Sequence, residues 1–97
     1  MSELPPPQTV WKFPLRLIEQ QVVLMPLGAE VVFVGVQQKA ITLWARCDPT
    51  ALKVPVHVAI CGTGHPCPSE GEGEYVGSVL QDTGLVWHVF VNKGKKN

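Results

Sequence analysis

Ninety-seven residues make one small domain, and a 16% charged share, against the usual quarter, implies apolar surface that a partner covers. Eight Lys plus Arg balance eight Asp plus Glu, which excludes the phosphate-neutralising field that duplex nucleic acid needs. No run approaches the roughly 18 apolar residues of a membrane helix, and the start MSELPPPQ has neither a basic segment nor an apolar signal core, so a cytoplasmic protein is expected.

Residues 1–8 contain Pro5-Pro6-Pro7, which blocks helix and ladder alike and predicts an extended arm. A β domain over residues 9–92 follows, and Lys93, Lys95 and Lys96 give residues 93–97 the character of a basic tail. Short β-rich runs punctuated by turn residues predict strands over residues 10–15, 21–25, 30–37, 40–47, 54–61, 74–80 and 85–91. Pro26 with Gly28 separates the second from the third. Residues 37–39 and 82–84 predict tight hairpins, and Asp48-Pro49 opens a turn. Only residues 15–20 and 49–53 have room for a helical turn. The expected fold is all-β, a small antiparallel sandwich or barrel of about seven strands.

Period-two alternation assigns the faces. The predicted core is Val32, Val34, Leu43, Ala45, Val56, Val58, Ile60, Leu85 and Val89, which leaves Trp44 with Arg46 on the opposite side of their strand. In the last strand both faces are apolar, as in a strand covered on both sides, so a homo-oligomer with Val86 or Phe90 in its interface is expected. Glu70 and Glu72, in the Gly/Pro-rich stretch 66–73, read as solvated loop charges.

The stretch ICGTGHPCP, residues 60–68, poses the chemical question. Cys61, His65 and Cys67 are zinc-ligand types but lack a fourth ligand and a CxxC spacing, so no metal is assigned. An odd cysteine count (Cys47, Cys61, Cys67) without a secretion signal reads as reduced thiols. No carboxylate pair or triad is visible, so neither catalysis nor a cofactor is assigned. Gly62-Thr63-Gly64-His65 is either a plain turn or a backbone cradle for a phosphate. In the second case Thr63, Gly64 and His65 would join Trp11 and Trp44, as stacking faces, and Lys12, Arg46 and His88, as phosphate partners, in one ligand site. Trp87, between Leu85 and Val89, is expected to be structural.

The ordered set VWKFPL, MPLGAEVVFVGVQ, LWARCDP, GTGHP and GLVWHVF, across about residues 10–91, resembles a family of short phage and prophage proteins of unassigned function. Cys61 and Cys67 depart from that family's pattern. The resemblance implies a phage setting, the cytoplasm of an infected bacterial host, an all-β domain and no assigned catalytic residue. Two functions are expected on this basis: a noncovalent sponge for a cyclic nucleotide defence signal, or a structural or protein-interaction module such as a virion component or protein inhibitor.

Overall fold

The computed structural model describes residues 7–94, so most of the expected proline-rich arm and Lys95 and Lys96 of the expected basic tail lie outside the described residues. Seven strands form: β1 (Thr9–Pro14), β2 (Gln20–Pro26), β3 (Glu30–Gln37), β4 (Ala40–Cys47), β5 (Lys53–Gly62), β6 (Glu74–Leu80) and β7 (Val86–Asn92). They make two antiparallel sheets, β1-β4-β3 and β2-β5-β7-β6, stacked as a sandwich, and no helix forms among the described residues. The spaces at residues 15–20 and 49–53 hold bends and turns instead.

Alternation drives the packing. In β4 Ile41, Leu43, Ala45 and Cys47 point inward, and in β5 Val56, Val58 and Ile60 do the same; together with Met25, Val89 and Val91 they form one buried core. Pro55 interrupts β5 without breaking the sheet. β7 pairs with β5 only from His57 onward, so the missing Pro55 N–H falls where no second neighbour needs it. At residues 37–40 the turn is tight, with Gln38 and Lys39 at φ 52° and 68°, the left-handed conformation of a type I′ hairpin.

Two expected core residues lie outside it. Val31 faces Ala45 and Phe33 faces Trp44, so Val32 is the extra residue of a β-bulge and is 53% exposed. The inward set of β3 is therefore Val31 and Val34. Leu85 has the inward parity, but β7 begins one residue later. Its carbonyl accepts from the Gln81 N–H (2.8 Å) at the neck of the 81–85 hairpin, and its side chain is exposed.

A second bulge, between Tyr75 and Gly77 in β6, faces the first across the sandwich. There Val34 packs directly onto Gly77: a Cβ on Gly77 would stand 2.8 Å from Val34 Cγ2 and 2.9 Å from its Cβ. Only glycine permits this approach, which joins the two sheets along the β3–β6 side.

Candidate functional site

Two outward faces carry the residues with chemical potential. On the three-stranded sheet, β4 lies between β1 and β3, so its outward side chains sit in lateral rows with those of both neighbours. One row is Lys12, Trp44 and Phe33; the next is Val10, Arg46 and Glu30; a third is Pro14, Thr42 and Gly35. Phe33, 60% exposed, meets half-buried Trp44 at 5.4 Å between ring centroids, tilted by 49°. Its ring lies over Gly35, where a Cβ would come within 2.7 Å of it. Arg46 Nη2 donates to Glu30 Oε1 at 3.1 Å, and Lys12 Nζ reaches over β4 to Gln37 Oε1 at 2.7 Å. Beneath that arm Thr42 is buried, its hydroxyl donating to the Ala40 carbonyl at 3.0 Å. The face thus offers an exposed Phe33 ring, backed by half-buried Trp44, with two cations beside the pair.

The outward face of the four-stranded sheet holds a trough of about 870 Å³. Its floor includes Ala59 and Phe90, paired across β5 and β7. One wall is the β1–β2 connection, pinned because the Gln21 side chain bonds both the N–H (3.1 Å) and the carbonyl (2.7 Å) of Arg16. The other wall is the loop through His65, Pro66, Cys67 and Pro68, with Glu72 and Gly73 behind it. GTGH itself is a β-turn in which the His65 N–H donates to the Gly62 carbonyl (3.0 Å), with Gly64 at φ 87°. Burial pushes the Cys61 thiol up in pKa, and Cys67 and Glu19 add in the same direction.

Beside the trough runs a polar chain. His88 bonds Thr63 Oγ1 through Nε2 (2.8 Å) and Ser78 Oγ through Nδ1 (2.7 Å), and Ser78 bonds Tyr75 Oη (2.7 Å). A neutral imidazole has one donor and one acceptor, so one of the two hydroxyls donates to the ring and the other accepts from it. Ser78 with His88 has the contact of a nucleophile and its base. The second ring nitrogen, however, meets a hydroxyl, which cannot stabilise an imidazolium as a carboxylate does.

The eight expected ligand residues therefore do not gather. Lys12, Trp44 and Arg46 share the first face; Thr63 and His88 are bonded to each other on the second, where Gly64 shapes the turn and His65 lines the trough. Trp11 joins neither set: opposite Ala45, it packs against the core, with Lys53 Nζ 5.8 Å from its ring centroid. Trp87 also packs against the core, its indole N–H donating to Gln81 Oε1 at 2.7 Å. Phe33, Tyr75, Ser78 and Phe90 are additions. Of these Phe33 was detectable, since its parity in its strand sets it outward. All three cysteines are free, and no group of three metal-ligating side chains occurs among the described residues.

No curated protein and no solved structure matches the chain. A family model does, over residues 6–97: the chain belongs to the family described as a domain of unknown function, DUF7352.

Proposed function

We propose that the protein is a noncovalent binding module for a nucleotide, held on the outward face of the three-stranded sheet. In the phage setting that its sequence resembles, it would sequester a cyclic nucleotide signal. The observation that carries this reading is the Lys12, Trp44 and Phe33 row with Arg46 beside it. An exposed ring is a stacking surface worth about 1–3 kcal/mol per base. Among the described residues Arg46 is held by a single exposed contact, to Glu30, an interaction worth about 0–1 kcal/mol, so a phosphate can displace Glu30 and take both guanidinium donors.

Titration calorimetry against a panel of cyclic mono- and dinucleotides tests it. One member should bind with defined stoichiometry, Phe33→Ala should weaken it by about 5- to 150-fold, and Arg46→Lys should weaken it despite the conserved charge. Absence of heat with every nucleotide rejects the reading.

A second reading, an interaction module or homo-oligomer, is favoured by Val22, Leu24, Tyr75 and Leu80, all exposed on the outward face of the other sheet. Calorimetry with light scattering at micromolar concentration separates the two: nucleotide binding supports the first, and an oligomer that binds no nucleotide supports the second.

A further inference from the structure

We infer that the trough on the outward face of β2, β5 and β7 binds a linear aliphatic polyamine, at a site independent of the nucleotide face. The volume of about 870 Å³ lies within the range of small-molecule sites, about 300–1,000 Å³. The floor is uncharged: Ala59, Phe90 and, beside them, Cys61, a thiol that burial keeps protonated. Tyr75 stands edge-on to Phe90 (5.6 Å between centroids, 63° between planes) and holds that ring in place.

The two acidic residues of the lining are anchored by their backbones at different points of the trough. The Glu19 carbonyl accepts from the Ile60 N–H (3.0 Å), and the Glu72 carbonyl accepts from Asn92 Nδ2 (2.8 Å). Asn92 pairs with His57, three residues along β5 from Ile60, and Glu19 lies on the β2 side of β5, so Glu19 and the residue that holds Glu72 are about 10 Å apart along the strands and two strand steps, about 9.6 Å, across them. Both glutamates line the trough, and no lysine or arginine among the described residues does.

This pattern selects among ligand classes. An anion would meet carboxylates with no fixed cation opposite. A compact, strongly hydrated cation such as Mg²⁺ engages one end and leaves the apolar floor wet. A methylene chain with ammonium groups at its ends covers the floor, presents a cation to the Phe90 ring and reaches both acids.

The test uses the full chain, with spermidine as probe and Mg²⁺ and a long-chain alkane diol as controls. Spermidine should bind saturably at low salt, and spermidine but neither control should shift the backbone amide resonances of Ala59 and Phe90 while leaving Trp44 unmoved. Glu19→Gln and Glu72→Gln should each weaken binding by about two- to fivefold, the gain expected of one exposed charge pair, with unchanged melting. Both side chains are exposed, so these variants fold. Absence of saturation, equal binding by the double glutamine variant, or full displacement of spermidine by Mg²⁺ overturns the proposal. Because nucleotide binding would move Trp44 and Phe33 instead, failure at either face leaves the other reading standing.

Discussion

The two outward faces of the sandwich both carry aromatic rings and differ in the charges beside them. On the three-stranded sheet, the aromatic pair Phe33 and Trp44 is flanked by Arg46 and Lys12. On the four-stranded sheet, an aromatic floor at Phe90 is flanked by Glu19 and Glu72, and the nearby polar groups satisfy one another through His88. A net charge of zero therefore conceals a division into two surfaces that carry different charges beside their aromatic rings. The lesson is local: composition sets the total, but strand order decides which charges stand together.

The largest effect should come from what both faces share. Val58 is 2% exposed in the core beneath the trough, and Val58→Asp would bury an unpaired carboxylate there. We expect a loss of at least about 4 kcal/mol, most of the stability of a domain this size, and with it the loss of both proposed binding sites. Glu72→Gln should change stability by no more than about 0.5 kcal/mol. Thermal melting of the two variants makes the check; similar midpoints would refute the inward assignment of β5.

A smaller effect should distinguish the faces. Gly77→Ala places a methyl group against Val34, next in sequence to Phe33, and overpacking of this kind costs about 1–3 kcal/mol. The displacement should reach the Phe33–Trp44 pair through Val34, and Phe90 through the Gly77–Val89 pairing, before it reaches Ala59 on β5. Spermidine-dependent shifts at Ala59 should persist while the Trp44 resonances move. In the Gly77→Ala background, Val34→Ala should cost less than it does alone, because it opens the space that the new methyl needs. Strict additivity of the two substitutions would mean that the seam does not couple the sheets as described.

Much of this architecture was legible in the residues. The alternation of Val56, Val58 and Ile60 against His57, Ala59 and Cys61 identified a strand and its inward face, and Asp82 to Gly84 identified a hairpin. The bulges were not legible, because an inserted residue such as Val32 leaves no mark in a pattern of consecutive valines. The site was only half legible. Trp44 read correctly as turned away from its strand's apolar set, and His88 as opposite Leu85, Trp87 and Val89 in its strand, yet nothing local says that β4 pairs with β1 and β3 while β7 inserts between β5 and β6. That pairing is a long-range property, and it sent the two residues to different faces. Glu72, which read as a solvated loop charge, is exposed, and what local reading does not show is that Asn92 on β7 ties its backbone carbonyl to the edge of the trough.

The smallest effect belongs to neither face. Asp48 lies in the connection that carries the chain from β4 of one sheet to β5 of the other, where Oδ1 accepts from the Thr50 hydroxyl (2.7 Å) and the Thr50 N–H (2.9 Å). These bonds, the hydroxyl's first, hold its carboxyl below the ordinary value of 3.8. A group whose folded pKa is depressed adds stability above its unfolded pKa, and that contribution disappears as pH falls through the folded value. The acid limb of the stability curve below about pH 4 should therefore contain an Asp48 component. Asp48→Asn keeps an acceptor for both Thr50 donors but removes the titration. The variant should be slightly less stable than the parent at pH 7, show a shallower fall between pH 4 and pH 2 and converge with the parent at the acid end, read as urea midpoints. Parallel curves for the two proteins would mean that the turn gains nothing from the charge. Nucleotide and spermidine titrations at pH 7 should be unaffected, since no part of this turn reaches either face.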